Sequence, residues 1–377
     1  MKIIIAPDKF KGSLSSIEVC NSLTKGLKMN NSNLNVISCP MADGGDGSLE
    51  IINHYLDLKS VEITVNDPLF RPIKSIYYIS EKTAYIEMSS ATGLALLKKE
   101  DRNCMNTSSY GTGELIVDAI QKGVSSIYLF IGGSATNDGG IGMASALGYR
   151  FYDSSENILS PIGRNLILIN RIDQSGVKFN SQEVNVKVVC DVNNTFFGKD
   201  GAAYVYAAQK GANSIEIKQL DRGMINLASK LLKYDFPDIA NVPRGGAAGG
   251  LGGGSIAFLG AQLISGTQNF IEITKLKKLI KDCDLVITGE GKLDMQTIHG
   301  KVISGVCEIS KQFNKPIIAV CGIAEMTMSD MLGLKKVYTI IDRANSVDDA
   351  IQNVEEYLIQ IGANIIDDIK DWYLTKK

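Results

Sequence analysis

The sequence predicts an α/β protein in which both ends of the chain build a doubly wound parallel sheet, with a second, mixed α/β domain inserted between them. Apolar strand patterns alternate with helical patterns near both termini, which is typical of a parallel sheet covered by helices. The middle of the chain has short β-branched runs and dense glycine instead. At 377 residues the chain is also long for one hydrophobic core, so two domains are expected.

The N-terminal residues predict a strand, a helix, a second strand, a loop and another helix. Residues 3–6 are a short apolar strand, and Ser15 with Glu18 has the spacing of a capping box at the start of the first helix. The second strand is expected at 35–39 and the second helix at 48–56. This succession is typical of an open parallel sheet.

The pattern changes from about residue 60. Short runs at 61–65, 75–79 and 83–88 are rich in β-branched residues and separated by turn signals, which predicts antiparallel strands. A helix is expected at 113–122 and a buried strand at 127–131.

Alternation of strands and helices returns near the C-terminus. Strands are predicted at 284–288, 316–321 and 337–341, and helices at 301–313 and 347–361. The second of these helices has an apolar stripe along one face.

The expected domain division follows from these patterns. One domain is discontinuous and comprises residues 1–70 and 270–377, and the inserted domain comprises residues 71–269 with the glycine-rich loops. Such an insertion is tolerated because the termini of a domain tend to lie close together at its surface.

Composition excludes several classes of protein. With 39 basic and 41 acidic side chains, the chain lacks the basic excess of proteins that bind nucleic acid or membrane surfaces. The first apolar run is too short for a secretion signal, and no apolar stretch is long enough to span a membrane. The seven scattered cysteines are typical of reduced thiols in a cytoplasmic protein. We expect small-molecule partners and a monomer or a homodimer.

The polar residues favour phosphate and Mg²⁺ chemistry over histidine catalysis. Of the two histidines, His54 lies in a predicted helix among apolar neighbours, and His299 is the one candidate for catalysis. The sequence has no GxSxG elbow, HExxH motif, Walker A run or GxGxxG fingerprint. It offers instead glycine loops with Asp, Lys, Ser, Thr and Asn, which are the residues that handle phosphate and Mg²⁺.

The first glycine-rich loop, GGSATNDGG at 132–140, follows a buried strand and precedes a helical pattern. Backbone N–H groups at such a turn can converge on an anion, assisted by the helix N-terminus, so we predict contact with phosphate. The candidate residues are Gly133, Ser134, Asn137 and Asp138. A glycine turn needed only for tight packing is the alternative.

The second glycine-rich run, GGAAGGLGGG at 245–254, is almost free of side chains. Its seven glycines cost about 0.5–1 kcal/mol each relative to alanine in regular structure, and something must offset that cost. Close approach of a ligand to the backbone, including Gly249 and Gly250, is one interpretation. A hinge between domains is the other, and both can hold.

Charged loops follow the first two predicted parallel strands, at the edge where open α/β sheets bind ligands. Lys9, Lys11 and Ser13 follow the first strand and suit a carboxylate or a phosphate, although single surface lysines are ordinarily solvated. Asp43 and Asp46 follow the second strand among three glycines. There they can hold Mg²⁺, orient a hydroxyl group or cap the next helix.

Two further acidic loops carry candidates for proton transfer and metal binding. Asp191 and Asn193 follow a predicted strand, and aspartate beside asparagine is similar to the metal-and-base pairing of phosphotransferases. Glu290, Lys292 and Asp294 follow another strand, where a lysine–carboxylate cluster can neutralise phosphate charge. A turn with surface charges is the alternative there.

Nine short motifs together resemble the bacterial type-one glycerate kinase family. They occur in the family's order and extend over nearly the whole chain, and although each is weak alone, nine in order are specific. The motifs are APDKFKGSLS (6–15), PMADGGDGS (40–48), SSATGL (89–94), GTGELI (111–116), GGSATNDGGIGM (132–143), CDVNN (190–194), QKGA (209–212), GGAAGGLGGG (245–254) and TGEGKLDMQTIHGK (288–301). One departure is Ala207-Ala208, where the family pattern has Gly-Pro.

The resemblance implies phosphorylation of D-glycerate with ATP and Mg²⁺, usually on the 2-hydroxyl to give 2-phosphoglycerate, with 3-phosphoglycerate as the other possible product. It also implies a Rossmann-like domain with a second α/β domain inserted, and a site in the cleft between them.

Roles for individual residues are inferred from chemistry at the matching positions. Asp191 accepts the proton of the glycerate hydroxyl, while Lys9 and Lys210 neutralise the γ-phosphate or the glycerate carboxylate. Asp294 or Glu290 holds Mg²⁺, directly or through water, and the glycine-rich runs at 132–140 and 245–254 cradle the nucleotide. The remaining binding residues are Lys11, Ser13, Asp43, Asp46, Ser90, Thr92, Gly133, Ser134, Asn137, Asp138, Asn193, Gly249, Gly250 and Lys292.

The sequence alone leaves two other functions open. One is a kinase for another small hydroxy acid or a polyol. The other is a non-catalytic two-domain protein that closes on an anion, as hinged binding proteins do. The number of acidic loops and the missing export signal favour the enzyme.

Overall fold

The computed structural model describes residues 1–29, 33–45, 47–180, 183–298, 301–325 and 327–374. Two residues singled out above, Asp46 and His299, lie outside the described residues. Within the described residues the chain forms a mixed α/β structure, which confirms the predicted fold class. No helix in these ranges combines the length and the apolar character needed to cross a membrane.

The strands of the described chain follow one another from residue 2 to residue 339. They are β1 (Lys2–Pro7), β2 (Asn35–Ser38), β3 (Lys59–Asn66), β4 (Pro72–Ser80), β5 (Thr83–Glu87), β6 (Ser126–Phe130), β7 (Arg150–Tyr152), β8 (Arg171–Asp173), β9 (Asn185–Val189), β10 (Gln262–Ile264), β11 (Leu285–Leu293), β12 (Ile317–Ala324) and β13 (Lys336–Thr339).

The α-helices lie between and after these strands. They are α1 (Ser16–Met29), α2 (Ser48–Tyr55), α3 (Ser89–Thr92), α4 (Tyr110–Gln121), α5 (Ile141–Ala146), α6 (Ala202–Tyr206), α7 (Ser214–Lys233), α8 (Ala247–Leu259), α9 (Gly266–Ile273), α10 (Leu276–Lys281), α11 (Met295–Ile298), α12 (Val302–Gln312), α13 (Thr327–Leu332), α14 (Val347–Gln352) and α15 (Val354–Leu374). Short 3-10 helices lie at Leu94–Leu96, Lys99–Asp101, Gly163–Leu168 and Ala208–Lys210.

The first of two compact units is built from both ends of the chain, over residues 1–43, 50–55 and 265–377. Its sheet has five parallel strands in the order β13-β12-β11-β1-β2. β1 is an interior strand, since Ile3 pairs with Leu285 of β11 on one side and with Val36 of β2 on the other. This arrangement confirms the Rossmann-like parallel sheet.

Helices cover both faces of this sheet. Alternate residues of a strand point to opposite faces, and Ile3 and Ile5 pack with Leu23 of α1 and Ile361 of α15. Ile4 is equally buried but belongs to the other face, where α12 contacts β1, β11 and β12. The sheet is therefore doubly wound.

The capping box predicted at the start of α1 is present. The backbone N–H of Ser15 donates to Oε2 of Glu18 at 2.8 Å, and the backbone N–H of Glu18 donates to Oγ of Ser15 at 3.4 Å. These bonds satisfy two donors that the first turn of the helix leaves free, and they fix where the helix begins after β1.

The second unit comprises residues 44–49 and 56–264. Its main sheet has six strands in the order β10-β9-β6-β5-β4-β3, and β7 with β8 forms a separate pair. β4 is antiparallel to both β3 and β5, as the turn signals predicted, while β5, β6, β9 and β10 run parallel. Large buried side chains such as Tyr77, Phe151 and Phe258 fill its core.

The glycine-rich run at 245–254 lies largely in α8, a helix that no sequence pattern predicted. Its first turn is irregular, because Ala248, Gly249 and Gly250 have left-handed φ angles of 54°, 69° and 88°. Glycine has a low intrinsic helix propensity, so tertiary packing must favour this helix.

The helix predicted at 347–361 is wrong in one respect, because the structure has two helices there. α14 ends at Gln352 and α15 begins at Val354. Between them Asn353 has a ψ of 23°, and its side-chain amide donates to Oδ1 of Asp349 at 2.6 Å. Asparagine favours such local bonds over the continuation of a helix.

Candidate active site

A pocket of about 390 Å³ lies in the first unit at the carboxyl ends of β1, β11, β12 and β13. The chain runs from β1 to β2 in one direction across the sheet and from β11 to β12 in the other, so the strand order reverses between β1 and β11. Open α/β sheets bind ligands at this position. The backbone N–H of Asp8 donates to the carbonyl oxygen of Gly289 at 2.8 Å and ties the loop after β1 to β11.

Six of the predicted site residues line this pocket, although they come from distant parts of the chain. They are Lys9, Lys11, Ser13, Asp43, Glu290 and Lys292. Asp294 is not among the lining residues, but its Oδ2 lies 3.0 Å from Nζ of Lys292.

Three carboxyl groups face the pocket, from Asp8, Asp43 and Glu290. Burial, together with the charges of Asp43 and Glu290, raises the pKa of Asp8 well above its ordinary value. Burial also raises the pKa of Glu290 to about 6, although the hydroxyl of Thr297 and the ammonium of Lys301 oppose that rise. Burial therefore disfavours the charged forms of Asp8 and Glu290 as long as no cation lies beside them.

Four lysines line the same pocket, namely Lys9, Lys11, Lys292 and Lys301. Lys301 precedes α12, and its Nζ lies 3.8 Å from Oε2 of Glu290. Because carboxylates and lysines line the same cavity, the pocket suits a ligand that carries several negative charges and a hard cation.

Glycines let the strands approach closely beneath Glu290. A Cβ on Gly289 would lie 2.1 Å from the carbonyl oxygen of Val320, and one on Gly322 would lie 2.5 Å from that of Gly291. Side chains at these positions would push β11 and β12 apart. The glycines of the TGEGK motif therefore position Glu290 and Lys292.

In the second unit, Lys210 is buried among the residues of the 132–140 loop. Its Nζ donates to Oγ of Ser134 at 2.6 Å and to the carbonyl oxygen of Thr136 at 2.7 Å. Burial lowers the pKa of Lys210 to about 8, although Cys104 and Asp138 oppose the change. The structure thus brings two predicted site residues, Lys210 and Ser134, into direct contact.

The carboxylate of Asp138 is fully buried and holds backbone in place. It accepts bonds from the N–H and the hydroxyl of Ser109 and from the N–H groups of Gly140 and Gly142. Burial raises its pKa, and these four bonds oppose the rise. In this arrangement Asp138 shapes the glycine loop.

Asp191 and Asn193 follow β9, where Asp191 is half-buried and Asn193 is exposed. The same loop bonds to the start of the second glycine run, since the N–H of Gly246 donates to the carbonyl oxygen of Asn194 at 2.9 Å. Tyr206 links this loop to Lys210. Its hydroxyl donates to the side chain of Asn194, and its ring centroid lies 6.0 Å from Nζ of Lys210.

The two glycine-rich runs pack on each other. The N–H of Gly139 donates to the carbonyl oxygen of Gly249 at 3.0 Å. A Cβ on Gly249 would lie 2.0 Å from the carbonyl oxygen of Thr136, and one on Gly250 would lie 3.0 Å from Cα of Gly139. Backbone packing therefore requires glycine here. Asn137 is also fully buried in this region, and neither atom of its amide has a hydrogen-bond partner among the residues that the structure describes.

Three predicted binding residues make local contacts. The hydroxyl of Ser90 donates to the carbonyl oxygen of Glu87 at 2.7 Å, and that of Thr92 lies 2.6 Å from the hydroxyl of Thr112. The carbonyl oxygen of Gly133 accepts from the N–H of Leu94 at 2.8 Å. The second bond joins α3 to α4, and the third joins the 3-10 helix at Leu94–Leu96 to the glycine loop, so these two support the loop's shape.

Sequence reasoning missed three polar residues at these sites. Asp8 and Lys301 line the pocket of the first unit, and both lie inside motifs already singled out, so the motifs were the available signal. Tyr206 contacts the acidic loop and Lys210 in the second unit, and no pattern in the sequence marks it.

Comparison with known proteins gives one consistent result. The model of the glycerate kinase family matches residues 3–370. The chain is 40% identical over 367 residues to a glycerate kinase of Halalkalibacterium halodurans, covering 96% of this chain and 97% of that one. It is 38% identical over 369 residues to the glycerate 2-kinase of Escherichia coli K12, covering 97% of each. A crystal structure of a glycerate kinase 2 from Salmonella typhimurium LT2 matches with a TM-score of 0.84 and 38% identity over 99% of both chains.

Proposed function

The chain belongs to the glycerate kinase family and is a kinase that phosphorylates glycerate; from that premise we propose that ATP is its phosphoryl donor and 2-phosphoglycerate its product. The family membership favours the enzyme over the non-catalytic binding protein that the sequence left open. The observation that supports the proposal most is the pocket of the first unit at the point where the strand order reverses, which we call the switch-point pocket. Four lysines and three carboxyl groups line this one cavity.

The lysines of this pocket suit the phosphates of a nucleotide. Phosphoryl transfer needs little covalent chemistry from the protein, and catalysis comes mainly from positioning and charge neutralisation. Lys9, at the end of β1, is our proposed contact with the γ-phosphate or the glycerate carboxylate. Lys11 and Lys292 line the same pocket and can share that charge.

The pocket also has the donor chemistry for Mg²⁺. No group of three His, Cys, Asp or Glu side chains in the described part of the chain could hold a metal by itself. Mg²⁺ usually takes only one or two carboxylates and completes its shell with phosphate and water. We propose Glu290 as a direct ligand and Asp294, which pairs with Lys292, as a ligand through water. When bound, Mg²⁺ would neutralise charge on the transferred phosphate.

Asp191 is our proposed general base. A carboxylate at the end of a strand, half-buried and held in a loop that bonds to the second glycine run, is suited to accept the proton of the acceptor hydroxyl. Lys210 would neutralise anionic charge in the same unit, held in place by Ser134 and Thr136. The glycine runs would support these two residues.

We further propose a cytoplasmic location. All seven cysteines are buried and free. Buried free thiols are typical of proteins that fold in a reducing compartment.

Phosphorus NMR of the product made from D-glycerate, ATP and Mg²⁺ tests this function. The expected product is 2-phosphoglycerate, formed together with ADP. A product phosphorylated at the 3-hydroxyl would overturn the regiochemistry alone. A panel of other hydroxy acids and polyols belongs in the same experiment, and faster turnover of one of them would overturn glycerate as the preferred acceptor.

A further inference from the structure

The switch-point pocket has a second side that is apolar. The carboxyl ends of β12 and β13 contribute Ile323, Ile340 and Ile341, and α14 contributes Val347 and Ile351. Three of these side chains are unusually exposed, with 47% for Ile323, 62% for Val347 and 51% for Ile351. Exposed aliphatic side chains gathered around one cavity are typical of a ligand site.

Val347 and Ile351 of α14 do not fill a core, whereas Ala350 of the same helix packs against the core of the first unit. No residue of this helix is buried. Val347 and Ile351 are four residues apart, so they lie on the same face of the helix, and both line the pocket. Two acidic residues lie between them. Asp349 is bonded to Asn345, Asn353 and Tyr357, and Asp348 is exposed.

We propose that the nucleotide lies in this pocket with its purine base against the apolar side, formed by Ile323, Ile341, Val347 and Ile351, and its phosphates toward the lysines. The inference rests on the proposed function, since it assigns a place to the donor of that reaction. It also replaces the glycine runs as the main nucleotide-binding elements.

The chemistry of the two substrates distinguishes them as occupants of the apolar side. Glycerate has three carbons that all carry oxygen, so it has little apolar surface to place against isoleucine. A purine ring has two broad apolar faces, and packing them on aliphatic side chains removes apolar area from water. Four lysines also match the several negative charges of a triphosphate better than the single charge of a carboxylate.

The glycine runs have a sufficient explanation without a nucleotide. The space that side chains would take at Gly139, Gly249 and Gly254 is filled by protein atoms, partly from the facing run. Packing therefore explains the glycines of both runs, and no nucleotide base is needed there to explain them.

Calorimetric titration with two probes tests the assignment, with ADP as the first probe and inorganic tripolyphosphate as the second, both in the same Mg²⁺ buffer. In Ile351→Gln we expect the Kd for ADP to rise about tenfold or more, while the Kd for tripolyphosphate stays unchanged. Val347→Gln should behave in the same way. Leu232→Gln is the matched control, because Leu232 is 50% exposed on α7 in the second unit, and it should change neither Kd.

Two results would overturn the inference. One is an unchanged Kd for ADP in both pocket variants. The other is an equal loss of tripolyphosphate binding, which would mean that the substitutions disturb the phosphate side instead.

Both outcomes are distinguishable from a failure of the proposed function. If the wild-type protein makes phosphoglycerate while Ile351→Gln binds ADP normally, only the placement of the base is wrong. If no phosphoglycerate forms but the pocket variants lose ADP, the nucleotide site stands without the proposed function.

Discussion

The ammonium group of Lys210 donates to the hydroxyl of Ser134, which lies 76 residues earlier in the chain, at 2.6 Å. A second bond to the carbonyl oxygen of Thr136 fixes the direction of the lysine side chain. Both acceptors are neutral. The charge of Lys210 therefore has no carboxylate directly bonded to it in these contacts, and burial lowers its pKa to about 8.

This pKa predicts a pH dependence. Below pH about 8 Lys210 carries its charge, and above it the amine becomes neutral, so an anionic substrate loses an attractive partner as pH rises. We expect kcat/KM for the anion that Lys210 contacts to fall above pH about 8 with the titration of one group. Steady-state kinetics from pH 6 to about 9.5 measure the profile.

Lys210→Arg is the matched variant, since a guanidinium stays charged throughout this range. In this variant kcat/KM should no longer fall above pH about 8, even if the bulk of the arginine side chain lowers the activity at every pH. An identical fall in this variant would assign the titration to another group.

Asp191→Asn should lower kcat by about a hundredfold or more, the usual contribution of a positioned general base. The KM for ATP should change little, because the substitution removes proton transfer and keeps the shape of the side chain. Asp200→Asn is a suitable control, since Asp200 is an exposed acid nine residues further along the same region. A kcat close to that of the wild-type enzyme in Asp191→Asn would rule out the proposed role.

Glu290→Gln tests the metal proposal. An amide is a weaker ligand for Mg²⁺ than a carboxylate, so the Mg²⁺ concentration for half-maximal rate should rise about tenfold or more. Binding of ADP measured without Mg²⁺ should not weaken. Glu308→Gln, an exposed acid on α12, serves as the control. Equal Mg²⁺ requirements in all three proteins would contradict the assignment.

Local signals were sufficient to predict the sheet of the first unit and the start of its first helix. The capping box of Ser15 and Glu18, the apolar strands and the loops at their ends all depend on neighbouring residues, and the structure has each of them. The sequence also indicated that polar residues would gather at one edge of the sheet, because the residues that follow parallel strands meet there. Lys9, Asp43 and Glu290 do meet there.

The features that the sequence did not predict depend on long-range packing. The apolar stripe that includes Val347 and Val354 has the pattern of one helix facing a core. In the structure the helix breaks at Asn353, and Val347, in the part before the break, lines the pocket. α8 was missed for the same reason. Its glycines disfavour a helix locally, and the helix exists because its bare backbone fits against Gly139 and Gly140.

The fit between the two glycine runs gives the last prediction, which concerns stability. Gly249 has a φ of 69°, and a Cβ there would lie 2.0 Å from the carbonyl oxygen of Thr136, which is backbone and can yield little. Gly249→Ala should therefore combine the cost of a left-handed alanine, about 1–2 kcal/mol, with overpacking of a further 1–3 kcal/mol or so. We expect a total loss of about 2–5 kcal/mol in the free energy of unfolding, measured by urea denaturation followed by circular dichroism.

Gly198→Ala separates the two contributions, since Gly198 has a φ of 90° in the same unit but nothing lies within 4 Å of its Cβ position. This variant should lose only the backbone contribution of about 1–2 kcal/mol. If both variants lose the same free energy, the facing runs do not pack as tightly as the structure has them. The glycines at 245–254 would then need a ligand to explain them, and the nucleotide would return to that run as its candidate site.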